Sequence, residues 1–316
     1  MQLKPIALAK GVATFVPGLL RYACGRSFGS DSPRYCYSVW LRHLKTIAAC
    51  GLPTRFDTVA ELGPGDSLGI GLAAMLTMVR RYYAFDAVPH ARTAANLAML
   101  DRQVELVRGR EPIPSDEEFP EISPHVDSLE FPRHLLDDRL LDASTAPARV
   151  DAIRRALSGG DGGDVAVRYA APWADAQIVE SESVDLALSQ AVLEHVDDVD
   201  AAYQALFRWL KPGGIMSHAI DFRCHGLTRD WYGHWTIPAY QWRLVRGRRP
   251  YLINRLPASR HFASLERAGF EIVHTMPRHS APAARKSLAR PFRDMTDDDA
   301  RTSGVFVIAR KPGSRS

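Results

Sequence analysis

Three groups of residues in this chain have the types and spacing to do chemistry. The first is Glu61-Leu62-Gly63-Pro64-Gly65-Asp66-Ser67. It lies between an apolar run with β-branched residues, Phe56 to Leu62, and a helical pattern that starts at Ser67 and reaches Val79. Strand, glycine bend and helix in that order aim backbone N–H groups and a helix N-terminus at an incoming anion. A dinucleotide fingerprint needs a third glycine where this chain has Leu68, and Pro64 removes one donor. The bend therefore suits a small carboxylate better than a pyrophosphate. Glu61, at the strand end, can accept from an ammonium or from the bend itself. The second group is Asp86, about 20 positions further on, where a carboxylate accepts from both hydroxyls of a ribose. A helix N-cap is its other reading. The third group follows two later strands: Gln190, Glu194 and His195, then His218, Asp221 and His225. Asp221 and His225 lie at and beyond a strand end, free to face a cleft. His225 is the candidate base for an acceptor hydroxyl, with Asp221 orienting its ring and His195 as a third catalytic candidate. Glu194 reads as a residue that orders its loop and caps the next helix. Too few ligands are visible to expect a metal.

The elements that must position these groups alternate. Strands are expected at 56–62, 82–85, 164–169, 184–188, 215–220, 270–276 and 304–309, with helices at 91–100, 148–157, 199–210 and 259–268 between them. Lys211-Pro212-Gly213-Gly214 ends the third of those helices. The alternation predicts an α/β fold, a doubly wound and mostly parallel seven-stranded sheet. Residues 1–54 read as a helical cover, a lid over the domain formed by 55–316. Residues 103–164 are a long polar insertion between the second and third strands, either shaping a substrate site or making a mobile excursion, and 279–303 lengthen the last hairpin.

Glu61-x-Gly63-x-Gly65 resembles motif I of the class I S-adenosylmethionine-dependent methyltransferases. Val192-Leu193-Glu194-His195-Val196 followed by Leu210-Lys211-Pro212-Gly213-Gly214 is similar to their small-molecule members. The resemblance covers about residues 55–222. It implies the fold expected above, S-adenosyl-L-methionine as cofactor, and Glu61, Gly63, Pro64, Gly65, Asp66, Asp86 and Gln190 as the residues that hold it. It implies methyl transfer to a small-molecule acceptor. Ser67 stands where the family often has a third glycine, and Ala170-Ala171-Pro172-Trp173 stands where it often has an acidic residue near the adenine. Trp173 could flank the adenine instead, or be core. Tyr251 to Arg260 resembles methyltransferases of bacterial polysaccharide and natural-product pathways, which points to O-methylation of a glycan, a glycolipid or a specialised metabolite.

Composition sets the remaining bounds. The chain has 316 residues, 46% hydrophobic and 24% charged, with net charge +4, enough apolar content for a packed globular protein. That mild charge does not call for nucleic acid. An RNA methyltransferase, an NAD-dependent oxidoreductase and a non-catalytic cofactor-binding module are the rival readings. Cys24, Cys36, Cys50 and Cys224 have no metal-site spacing and read as reduced thiols of a cytoplasmic protein. Ile6 to Leu20 is too short and too interrupted to span a bilayer. With its basic flanks it could lie on an anionic membrane surface, but a helix packed on the domain is the favoured reading. Trp231, Tyr232, His234, Trp235, Tyr240 and Trp242 offer an aromatic wall for an acceptor, and Arg243, Arg246, Arg248, Arg249 and Arg255 offer charge for an anionic or lipid-linked one.

Overall fold

The computed structural model describes residues 3–16, 30–173, 175–249 and 251–313. Cys24 and the end of the Ile6–Leu20 run lie outside them. Helix α1 (Pro5–Ala13) and helix α2 (Pro33–Ala49) precede strand β1 (Thr58–Leu62). Helix α3 (Gly69–Met75), strand β2 (Arg81–Phe85) and helix α4 (Thr93–Gly109) follow. The insertion contributes helices α5 (Asp138–Ser144) and α6 (Pro147–Leu157) before strand β3 (Ala166–Ala170). Strand β4 (Val184–Gln190), helix α7 (Val199–Trp209) and strand β5 (Leu210–Asp221) complete the parallel part. Helices α8 (Ala239–Arg246) and α9 (Ala258–Ala268), strand β6 (Glu271–His279), helix α10 (Asp297–Arg301) and strand β7 (Thr302–Arg310) close the chain.

One seven-stranded sheet runs in the order β3-β2-β1-β4-β5-β7-β6, with β7 antiparallel to both neighbours. This is the mostly parallel, doubly wound sheet expected of the methyltransferase fold. Strand order reverses between β1 and β4, and ligands of such sheets bind outside the carboxyl ends at that point. Side chains alternate between two cores, as a period of two demands. Val59, Leu186, Leu188, Ile215 and Phe306 face α2, α3 and α4; Ala60, Ala187, Met216, Ile220 and Val305 face α7 and α9.

Several boundaries differ from expectation. The helix after the glycine bend stops at Met75 because Met78 takes a positive φ of 79°, which turns the chain into β2. Helix α4 runs nine residues past Leu100, to Gly109, so the irregular stretch of the insertion starts there. Lys211 to Gly214 are already part of β5, in a register shift beside Val184–Leu186, rather than a turn ahead of it. Asp198 caps α7 by accepting from the Ala201 N–H at 2.9 Å, a role expected of Glu194.

The two N-terminal helices do different things. Tyr37, Trp40, Leu41, Leu44 and Ile47 of α2 are essentially inaccessible, so α2 packs as a core layer over the sheet. The fully buried Arg42 donates to the carbonyls of Pro114 (2.9 Å) and Pro124 (3.1 Å) and to Asp116 Oδ1 (2.8 Å). With Ile113, Ile122, Phe131 and Leu136 buried in the same core, these bonds hold the insertion as a packed layer, not a mobile excursion. Helix α1 packs on α8: a Cβ on Gly11 would lie 2.0 Å from the Leu244 carbonyl oxygen, so only glycine permits that approach. Among the described residues no helix is long and apolar enough to cross a membrane.

Candidate active site

The carboxyl ends of β1, β2, β4 and β5 open into one cavity of about 690 Å³. Of the residues singled out from the sequence, Gly63, Gly65, Asp86, Gln190, His195, Asp221 and His225 line it. Glu61, Pro64 and Asp66 do not.

Gly63 and Gly65 both have positive φ, 65° and 74°, which a side chain would strain. A Cβ on Gly63 would also sit 2.4 Å from Val192 Cγ2. The bend therefore gives the cavity a smooth backbone wall. It does not give it free donors. Gly63 N–H donates to the Phe85 carbonyl at 2.7 Å, Gly65 N–H to Asp86 Oδ2 at 3.2 Å, Asp66 N–H to Ser30 Oγ at 2.8 Å and Leu68 N–H to Asn96 Oδ1 at 2.9 Å. Four N–H groups of the anion cradle expected of this bend are thus taken by the chain's own acceptors. Only the Gly65 contact is long enough to exchange readily.

Glu61 also turns inward. It accepts from the Tyr82 hydroxyl at 2.5 Å and from the Gly71 N–H, bracing β1 against α3. Burial pushes its pKa up to about 8, although the Tyr82 bond opposes that. Asp86 lines the cavity; its Oδ1 accepts from the Ala87 N–H at 2.8 Å and its Oδ2 from the Gly65 N–H at 3.2 Å. It does not cap α4, whose N-cap is Arg92. Trp173 lines the cavity near Asp86 and leans on Phe85 and Trp209, with ring centroids 5.5 and 5.2 Å away.

Gln190 ends β4, and its Oε1 lies 3.2 Å from His43 Nε2. His43 Nδ1 in turn meets Ser217 Oγ at 2.8 Å. Burial lowers the His43 pKa to about 4, so this relay is neutral. His218 of β5 is fully buried against Ser189 Oγ, 2.7 Å away, and does not reach the cavity.

The loop after β5 swings His225 back over the strand ends, because His225 and Gly226 both take left-handed φ values, 48° and 75°. His225 Nε2 lies 3.6 Å from Asp221 Oδ2 and 3.9 Å from Glu194 Oε1. Neither is a hydrogen bond at that length. Asp221 is instead clamped by Arg223, which donates to it at 2.9 and 2.6 Å. Burial would raise the Asp221 pKa, but Arg223 and His225 hold it below the ordinary value. Burial lowers the His225 pKa, with Asp221 opposing, so its ring is neutral at neutral pH. The His195 ring stands perpendicular to it, centroids 4.9 Å apart, and burial drives His195 down to about 3. Glu194 is buried with both carboxyl oxygens unpartnered, and burial, then nearby Asp221, raises its pKa far above the carboxylate range. Glu194, His195 and His225 offer ligand atoms within 4.8 Å of one another, the one such group among the described residues.

Sequence reasoning missed Tyr35, Glu121, Arg223, Tyr251 and Arg278, which also line the cavity. It expected the aromatic run and the arginine run there instead. Trp235 is fully buried as the centre of its own packing. Arg255 is sandwiched between Trp242 and Phe292 at 4.7 and 4.6 Å; Arg246 pairs with Asp197, and Arg249 donates to backbone carbonyls. None of the five arginines lines the cavity.

Residues 149–217 match the family model of a methyltransferase domain. That match and the strand order both support the class I methyltransferase family. A 75-residue segment is 40% identical to the ubiquinone biosynthesis O-methyltransferase of Brucella anthropi. The segment covers 24% of this chain and 28% of that protein, so the chain aligns with little more than a quarter of its curated relative. Among solved structures, an S-adenosylmethionine-dependent methyltransferase from Mesorhizobium loti is 16% identical, covering 90% of this chain and 100% of that one, with a TM-score of 0.38. Phosphoethanolamine N-methyltransferase 2 of Haemonchus contortus, in complex with S-adenosyl-L-methionine, is 13% identical, covering 89% and 57%, with a TM-score of 0.41. These methyltransferase structures resemble the chain too loosely to bear on its chemistry.

Proposed function

We propose that this chain transfers a methyl group from S-adenosyl-L-methionine to a hydroxyl oxygen of a small-molecule acceptor. The observation that carries this is the shared cavity: the glycine bend and Asp86, the methyltransferase pattern for holding a nucleoside, open into the same space as His225. S-adenosyl-L-methionine, when bound, supplies an electrophilic methyl carbon on a sulfonium. Asp86 accepts from the ribose hydroxyls. Gly63 and Gly65 let the backbone close on the ligand, and Gln190, fixed by His43, faces its methionine end. Trp173 covers the base. Glu61, Pro64 and Asp66 set the shape of the bend from behind rather than touching the ligand.

The acceptor's oxygen must approach in line with the bond that breaks. As its bond to carbon forms, the hydroxyl proton passes to Nδ1 of neutral His225, whose Nε2 faces Asp221, and from there to solvent. Asp221 stabilises the imidazolium that results, after the ring closes the present 3.6 Å gap. His195, held neutral, fixes the orientation of His225 by edge contact. A glycan, glycolipid or specialised metabolite is the acceptor class suggested by the resemblance of residues 251–260. The α1–α8 pair, with Ile6, Val12, Phe15, Tyr240 and Leu244 exposed, would allow contact with a membrane surface if the acceptor is lipid-linked.

The test is calorimetric binding of S-adenosylmethionine, followed by formation of S-adenosylhomocysteine across a panel of hydroxylated acceptors. Absence of cofactor binding would overturn the reading. Binding without turnover on any acceptor would favour the non-catalytic module.

A further inference from the structure

We propose that Arg223 and Arg278 form an anion seat in the cavity, filled at present by the chain's own Glu121, and that the acceptor carries a carboxylate or phosphate that displaces it. This rests on the methyl-transfer reading and specifies its acceptor. Asp221 of β5 and Arg278 of β6 both stand opposite Gly304 of the intervening β7. With no side chain at Gly304, only backbone lies between them; a Cβ there would lie 3.1 Å from the Ile220 carbonyl oxygen and 3.9 Å from Arg278 Cβ. Arg223, two residues beyond Asp221, reaches the same gap. One oxygen of Glu121, delivered by the insertion, accepts from Arg223 Nη1 at 2.5 Å and from Arg278 Nη1 at 2.9 Å. All four side chains line the cavity that holds His225.

The charges are unequal in their commitments. Arg223 is already balanced by Asp221, which it grips through two nitrogens. Among the described residues the Arg278 side chain bonds only Glu121, through its carboxylate and its backbone carbonyl. The Glu121 side chain is 63% exposed, whereas the Arg223 and Arg278 side chains are 30% and 31% exposed. A carboxylate so open to water holds its partners weakly. When Glu121 swings out, it leaves a net positive pair of planar forks, the geometry that binds carboxylate and phosphate. Glu121 thus marks the position and charge of the group the acceptor brings, and excludes neutral molecules that cannot replace it.

The experiment uses the full chain and two probes, inorganic phosphate and malonate, titrated by calorimetry at fixed ionic strength. Glu121→Ala is expected to bind at least one probe roughly 10-fold more tightly than the unaltered chain, because the competing carboxylate is gone. Glu121→Gln, close in shape, should show part of that gain and serves if the alanine variant unfolds. Adding Arg278→Ala to either should erase it. A preference for phosphate or for malonate identifies the anion. No gain in a folded variant, or a gain that survives loss of Arg278, would overturn the seat. Affinity for S-adenosylmethionine, measured separately, should not change, so failure of the seat and failure of the methyl-transfer reading are distinguishable.

Discussion

Asp86→Asn is the substitution that bears most directly on the cofactor half of the site. A carboxylate has about four lone-pair positions. One is taken by Ala87 N–H at 2.8 Å and one by Gly65 N–H at 3.2 Å, which leaves two for a ribose diol. Asparagine keeps the shape but can offer only one oxygen, so one of the two ribose contacts is lost and the other is no longer charge-assisted. A hydrogen bond to a charged group contributes about 1.5–3 kcal/mol. The loss therefore corresponds to roughly 10- to 150-fold weaker binding of S-adenosylmethionine, at about 1.4 kcal/mol per factor of ten. The Ala87 bond survives in the variant, so the fold should persist, which circular dichroism would verify. Asp66→Asn is the control: Asp66 does not line the cavity, and its affinity should match that of the unaltered chain. Calorimetry with both variants decides. An Asp86→Asn affinity within twofold of the parent, or equal losses in both variants, would refute the assignment.

Four other outcomes follow from the same geometry. His225→Ala should cut turnover by about 10²- to 10⁴-fold with cofactor affinity nearly intact, and kcat/KM of the parent should fall as pH drops through a value below 6.5, since burial lowers that histidine. Turnover should be unaffected by a chelator; loss on chelation, restored by a divalent ion, would instead assign Glu194, His195 and His225 as its ligands. Stability should depend on pH in two directions. His43 is lowered to about 4, and His195, His218, His234 and His261 to about 3, so unfolded histidines bind protons that the folded chain refuses, and stability falls as pH drops below 6.5. Glu61, raised from 4.5 to about 8, acts oppositely: its contribution is complete below 4.5 and is lost as pH rises through 8. Glu61→Gln should therefore remove about 1.4 kcal/mol per pH unit of the alkaline decline in that window, read from Tm across a pH series. Gly63→Ala should lower stability by about 1–3 kcal/mol in a denaturant titration, from positive φ and crowding against Val192.

The sheet was legible because its strands are short apolar runs bounded by glycine, proline and acidic residues, and because parallel strands are buried on both faces. That Asp86, Gln190, Asp221 and His225 line one cavity was legible for a related reason: each sits at or shortly beyond a strand end, and strand ends of this fold share one crevice. What the sequence hid was direction. Glu61 has the spacing of a ligand-facing carboxylate, but Tyr82 and Gly71 draw it inward, and nothing in its local pattern signals a partner 21 residues away. Arginine-rich and aromatic runs suggested an acceptor wall by composition alone, whereas Arg255 and Trp235 are consumed by packing. The arginines that do reach the cavity, Arg223 and Arg278, are isolated in sequence and meet only at Glu121, across Gly304 of β7. Tyr35 and Glu121 carried no signal at all, since a helix N-terminus and a polar insertion look alike whether or not they touch a site.

The buried guanidinium of Arg42 has a consequence for how this protein could change. It is the point where a structural helix holds the insertion by the Pro114 and Pro124 carbonyls and by the Asp116 carboxylate. With Ile122 buried in the same core, the exposed positions Glu117, Glu118, Pro120 and Glu121 are the ones that can be rewritten while the scaffold beneath keeps its grip. On the proposed anion seat, a chimaera that carries foreign residues at those positions should inherit new acceptor preferences without losing its fold.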